Sequence, residues 1–297
     1  MKKLSLFILI ATVTVFVISC TKEFSLENGG SNGNGSDEIV GVDCRMSKIA
    51  FYDSASAIPL GSIAATIDTK DTVRDVTLFD SLGNVIIMNS MPFYSGDTAY
   101  LNPDEYFLTA PSTRLVTHLH GVLNSVFPSI PFECDYIYNS DGTLFQKRYD
   151  IPGAGVSPAV VVEYLYLGGN LVSMTSTDYT TFTPELIQDA QLDYYNNIKP
   201  RNYLNLMPDE TISDDLNHFA PYTQFFNFGV KPINAIKSLK VRYYDPGNVV
   251  RDSTVSGFFT YITSRDNYVL SVYMLGDDQE SIPAAMGRLN FSYKCKP

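Results

Sequence analysis

Five times along this chain a run of aromatic and β-branched residues breaks at a short Gly- or Asn-bearing turn and then resumes as another such run. The stretches are Leu78 to Ile86 about Gly83-Asn84, Ile137 to Phe145 about Asp141-Gly142, Leu165 to Val172 about Gly168-Gly169, Arg242 to Val250 about Gly247-Asn248, and Tyr261 to Leu270 about Asp266-Asn267. Gly and Asn tolerate the positive φ of tight hairpin turns, and the flanks suit a pleated, half-buried surface. The spacing predicts successive β-hairpins and an all-β fold: an antiparallel curved sheet, open barrel or sandwich with few short helices. A period of two fixes the faces. Leu289, Phe291, Tyr293 and Cys295 oppose Asn290, Ser292, Lys294 and Lys296, and Tyr268, Leu270, Val272 and Met274 oppose Val269, Ser271 and Tyr273. Thr183-Pro184-Glu185-Leu186-Ile187-Gln188-Asp189-Ala190 offers a short helix, with a capping Thr and Pro at the first helical position. Residues 199 to 234, with Pro200, Pro208, Pro221 and Pro232, predict a long irregular connection holding a turn or two of helix. A long ordered loop in a β protein is a place for function.

Ahead of this body, Lys2-Lys3 precede an apolar run from Leu4 to Ile18 that stops at Ser19-Cys20. A basic start, an apolar stretch short for a bilayer span and a small residue at the end mark a secretory signal peptide over residues 1–19. Val17-Ile18-Ser19-Cys20 resembles the lipobox of bacterial lipoproteins, which implies cleavage before Cys20 and acylation of that cysteine. Residues 20–43, centred on Asn28 to Ser36, are rich in Gly, Ser and Asn and predict a tether with a reach of roughly 25 Å. Residues 44–297 follow as a single β-rich domain.

The formal charge is −11, and loss of residues 1–19 removes Lys2 and Lys3 and no acid, giving −13. An acidic chain argues against nucleic acid or anionic headgroups as partners, since each needs a surplus of bases on some face. The membrane is then held through lipid, at about 0.8 kcal/mol per buried methylene. With Cys20 acylated, three of the four cysteines remain, an odd number in an oxidising compartment. A Cys44–Cys295 bond would staple the first strand to the last, leaving Cys134 as a buried thiol; a Cys44–Cys134 bond is the alternative.

Little chemistry stands out. His118 and His120 fall on one strand face, a spacing able to hold a metal if a carboxylate or His218 joins them, although two polar histidines on a wet face is the simpler reading. Asn139-x-Asp141-Gly142 echoes a calcium loop but lacks its first ligand and its closing glutamate. Gly276-Asp277-Asp278-Gln279-Glu280 reads as a solvated acidic turn. No nucleophile elbow or phosphate-cradling loop occurs, and the 32 acids offer no preferred glycosidase pair. No cofactor and no enzyme activity are expected. With 20 tyrosines, 18 phenylalanines and no tryptophan, the aromatics suit cross-strand pairs, and a tyrosine-lined surface could also hold a glycan or peptide.

The hairpins at Tyr136 to Asp150 and Val162 to Asp178 resemble degenerate tyrosine-aspartate (YD/RHS-type) repeats. Cys44-Arg45-Met46-Ser47-Lys48-Ile49, Tyr195-Asn196-Asn197-Ile198-Lys199-Pro200 and Phe291-Ser292-Tyr293-Lys294-Cys295 resemble the corresponding elements of a large set of Bacteroidota outer-membrane lipoproteins of uncharacterised function. Thr21-Lys22-Glu23 partly matches their surface-export signal, which implies the cell surface over the periplasmic face. The resemblance brings no catalytic residue, and the expected role is a non-catalytic binding or envelope-scaffold module with an unknown protein or glycan partner. The alternatives are an accessory that captures polysaccharide or another macromolecule for uptake, and a hydrolase.

Overall fold

The computed structural model describes residues 44–52, 59–67, 73–88, 94–102, 104–123, 130–201, 225–276 and 287–295. Its elements are all strands: β1 Cys44–Tyr52, β2 Pro59–Ile67, β3 Val73–Asp80, β4 Val85–Met88, β5 Tyr94–Ser95, β6 Thr98–Asn102, β7 Glu105–Thr109, β8 Val116–Leu123 and β9 Ile130–Tyr138. There follow β10 Leu144–Asp150, β11 Val160–Leu167, β12 Asn170–Asp178, β13 Glu185–Tyr194, β14 Ile236–Asp245, β15 Val249–Thr263, β16 Val269–Gly276 and β17 Gly287–Cys295. They form one all-antiparallel sheet in which chain neighbours pair, and β1 lies between β17 and β2. No pairing joins β4 to β5 among the described residues, so the sheet is open there. Antiparallel pairing everywhere else makes β4 and β5 run the same way, so they count once in the alternation of direction. Counted by direction the described strands number sixteen, an even number, which is what lets β1 and β17 meet antiparallel.

All five of the turns read from sequence join paired strands, and Gly83, Gly142, Gly168, Gly169, Gly247, Asn248 and Asn267 hold positive φ in them. Strand alternation puts one face into a single buried cluster that includes Phe107, Phe132, Cys134, Val160, Val162, Met174, Leu239, Val241, Phe259 and Phe291. The cross-strand row Leu119–Cys134–Tyr149–Val160 shows how it is assembled: each residue is the register partner of the next, and all four are buried. Gly121 serves this core by absence of a side chain, since a Cβ there would lie 2.2 Å from Cζ of Phe132, its partner on β9. Tyrosines tie the layers together. The hydroxyls of Tyr138, Tyr194 and Tyr195 donate to the carbonyls of Val116, Leu171 and Phe259 at 2.6, 2.7 and 2.9 Å, and that of Tyr293 donates to Val269.

Two expectations are overturned. Thr183-Pro184 opens β13 and not a helix, and no helix occurs among the described residues. The reason is tertiary: β13 pairs on both edges, with β12 and β14, and sheet pairing outweighs a weak local preference. In β16 the alternation changes phase, for Val269 is fully buried together with Val272. Val269 opposes Thr263 and Ser271 opposes Ile262, so Leu270 is an extra residue that flips the faces on either side of it.

The long connection after β13 takes part in the fold. Its second described part, residues 225–235, crosses the end of the sheet where the β7–β8, β9–β10 and β11–β12 turns lie. Val116 N–H donates to Asn227 O (2.9 Å), Val230 N–H to Gly142 O (2.8 Å) and Ile233 N–H to Gly169 O (3.1 Å), while Tyr195 N–H donates to Ala235 O (2.9 Å). Phe226 and Phe228 turn inward from this strap onto Phe107, with ring centroids 4.6 and 5.7 Å away. The turn between β15 and β16 lies at the same end, linked to the chain after β13 by Arg201 N–H donating to Asn267 O (2.8 Å). Cys44 enters at this strap end as well, its N–H donating to the Tyr268 hydroxyl at 3.1 Å.

Candidate functional site

The densest group of titratable side chains outside the core lies on the outer face of β8 and β9. His118 opposes Asp135 and His120 opposes Glu133, so a His-x-His on one strand meets a Glu-x-Asp on the next. Both pairs leave the same face because both have a spacing of two. His118 Nδ1 lies 2.7 Å from Asp135 Oδ1, and its Nε2 lies 2.6 Å from Glu133 Oε2. The second Glu133 oxygen meets His120 Nδ1 at 2.7 Å, and the His120 ring stacks on Tyr106 with centroids 5.0 Å apart.

This geometry sets the protonation state. A ring that meets an ionised carboxylate at both nitrogens favours a hydrogen on each, the imidazolium form. Burial alone would lower the pKa of His118, but the hydrogen bonds and charges of Asp135 and Glu133 outweigh it, and the net shift is upward. The upward shift favours the form of His118 that has no free lone pair, and no group of three or more His, Cys, Asp and Glu among the described residues has a metal-holding arrangement. Arg148 faces Asp135 from β10, extending the row as His118–Asp135–Arg148 with alternating charge. The arrangement is a cross-strand ion network. With His118 about a quarter exposed and Asp135 more than half, it contributes about 0.5–1 kcal/mol.

A similar unit spans β13 and β14. Arg242 Nε and Nη2 donate to the two oxygens of Asp189 at 2.8 and 2.5 Å, and the Tyr244 hydroxyl donates to Oδ2 at 2.9 Å. In the β9–β10 turn, Asp141 accepts from the hydroxyl of Thr143 (2.6 Å) and from its N–H (2.9 Å), and these bonds hold its carboxyl below the usual range. That carboxylate orders a turn and is not set to bind calcium. Cys44 and Cys295 form a disulfide that joins β1 to β17 at a register pair, and Cys134 is a buried free thiol. Cys20, His218 and residues 277–280 lie outside the described residues. Glu133, Asp135, Asp189 and Arg242 escaped the sequence reading. For the first two a signal existed, an acid pair at spacing two on the strand following the histidine pair.

No protein-family model matches the chain, and no curated protein matches it. Among solved structures it is similar to a porin-like protein from Bacteroides uniformis ATCC 8492, with a TM-score of 0.50 and 12% identity over 84% of this chain and 98% of that one. A porin-like protein from Bacteroides vulgatus ATCC 8482 gives a TM-score of 0.48 and 15% identity over 85% and 99% of the two chains. At such identity the first likeness is one of fold.

Proposed function

We propose that this chain is an outer-membrane lipoprotein, anchored through Cys20, whose β domain is a non-catalytic module that binds or scaffolds an envelope or extracellular partner. The observation that carries this reading is the register of Val17-Ile18-Ser19-Cys20 behind a basic, apolar leader. The character of the sheet supports it. Asp135, Arg148, Glu163, Asp189 and Arg242 occupy mid-strand positions on the outer face, whereas a strand facing hydrocarbon disfavours charge at mid-depth. The buried apolar residues form one cluster inside, while exposed ones such as Phe145, Leu165, Phe258 and Leu275 share the outer face with these charges, so this reading assigns membrane attachment to the anchor. The polar constellations are engaged with each other, which supports a structural use of their charge over a catalytic one.

Mass analysis of the mature N-terminal peptide tests the anchor: diacylglyceryl and acyl groups on Cys20 are expected, together with loss of membrane association in Cys20→Ala. An unmodified Cys20 overturns the reading. Protease shaving of intact cells, with a periplasmic protein as control, then separates surface from periplasm. Digestion of the domain while the control survives is the expected result, and saturable binding in a glycan screen would select polysaccharide capture as the role.

A further inference from the structure

Both ends of the sheet carry exposed apolar side chains, and they differ in what else they carry. The strap end carries Leu165 (61% exposed) and Leu167 (72%) on β11, and Val230 and Ile233 of the strap, each 50% exposed. The strap rests directly on the neighbouring turns: a Cβ built on Gly169 would lie 2.2 Å from Ile233 Cδ1, and one on Gly142 3.2 Å from Val230 Cγ2. Ile233 therefore stands over the turn that Leu167 leads into and Val230 over the turn before β10, so the four exposed side chains share one end of the sheet. At the opposite end, Leu82 (84%), Phe182 (105%), Val249 (59%), Val85 (49%) and Val250 (47%) protrude, but six strands begin or end there on an acid: Asp80, Glu105, Asp150, Asp178, Glu185 and Asp245. No strand terminus at the strap end is charged, and its described connections hold Arg114, Lys199, Arg201, Lys231 and Arg265 against Asp97, Asp141 and Asp266. Asp209, Glu210, Asp214 and Asp215 also belong to the connection that leaves and returns at this end, which makes it near neutral and not basic.

Cys44, the point at which the chain from Cys20 reaches the domain, is also at the strap end. The Gly/Ser/Asn composition of residues 20–43 gives a reach of roughly 25 Å, whereas nine-residue strands set the opposite end about 30 Å further off. We propose that the strap end is the face that lies on the membrane, with Leu165, Leu167, Val230 and Ile233 in the headgroup boundary and the acid-rimmed end turned away. The occupant is a phospholipid surface. Apolar side chains gain by entering it, and the acids at the far end are repelled by anionic headgroups. The inference rests on the anchored reading above, and it assigns the domain an orientation that the anchor by itself leaves open.

The absence of tryptophan supplies the probe. Leu167→Trp and Phe182→Trp each give the full-length chain a single indole, at the strap end and at the far end. Each variant, matured in cells, is reconstituted into phosphatidylethanolamine–phosphatidylglycerol vesicles with or without brominated acyl chains, and circular dichroism confirms that both are folded. Expected is about twofold quenching of Leu167→Trp by the brominated lipid and none of Phe182→Trp. Equal quenching of both, quenching of Phe182→Trp alone, or quenching of neither overturns the orientation. The N-terminal mass keeps the two ideas apart: quenching of Leu167→Trp on a chain with unmodified Cys20 sinks the anchor and leaves the docking face standing, and unquenched Leu167→Trp on a lipidated chain does the reverse.

Discussion

The two ends of the sheet are closed by different means. At the strap end one segment, residues 225–235, hydrogen-bonds to turns that follow β7, β9 and β11 and drives two phenylalanines into the core. At the far end the described connections show bonds to a neighbour, as in Tyr179 N–H to Ala159 O (2.8 Å) and Leu186 N–H to the Asn248 side chain (2.6 Å). Antiparallel pairing stabilises strands along their edges and leaves the ends of a sheet to be sealed separately. A long connection can do this on one end only, and here it does so on the end that also bears the disulfide.

Perturbing the sealed end should therefore cost far more than perturbing the other. The largest effect expected is loss of the disulfide. Cys44→Ser with Cys295→Ser frees a loop of 251 residues and should lower stability by about 4–5 kcal/mol, measured by urea unfolding against the oxidised protein. Phe226→Ala empties a buried site against Phe107 and should cost about 3–4 kcal/mol, whereas Phe182→Ser at the far end, where the ring is fully exposed, should stay within about 0.5 kcal/mol. Similar losses from those two variants would abolish the distinction between the ends. Gly169→Val should cost about 1–3 kcal/mol, because it combines a φ of +80° with collision against Ile233.

The smallest effect concerns the middle of the sheet, which neither end controls. His118 has a folded-state pKa above its ordinary 6.5, so its ion pairs stabilise the protein fully below pH 6.5 and fade as pH rises through the higher folded value. His118→Gln should thus lose about 0.5–1 kcal/mol relative to wild type at pH 5.5 and converge on it in alkaline buffer. A gap that widens with pH would show that His118 is neutral in the fold.

Residues adjacent in the chain were readable, and those brought together from afar were not. Turns such as Gly168-Gly169 announce themselves because positive φ is a local demand met by few residue types. The strap does not, since Asn227 meets Leu115 and Val230 meets Gly142 across about ninety residues or more, and nothing in Phe225-Phe226-Asn227-Phe228 names those partners. Pro200 and Pro232 suggested irregularity correctly for the described residues 199–201 and 225–234 but gave no hint of a sealing role, while Pro208, Pro221 and any helical turn over 202–224 lie outside the described residues. Lys147 is a similar case: its amino group lies 5.2 and 5.8 Å from the rings of Tyr136 and Tyr164, a contact that exists only once β9, β10 and β11 are side by side. In the candidate site the histidine pair was visible, while its acids needed the hairpin register to be placed opposite it.

The even count by direction has a consequence for how such a chain can vary. Adding or deleting one strand would reverse every strand beyond it, bring Cys295 to the wrong end of β1 and break the staple. A whole hairpin leaves all directions intact. Descendants of this architecture can therefore lengthen or shorten only in steps of two strands, and the far-end connections, free of the strap, are where such pairs can be inserted with the least disturbance.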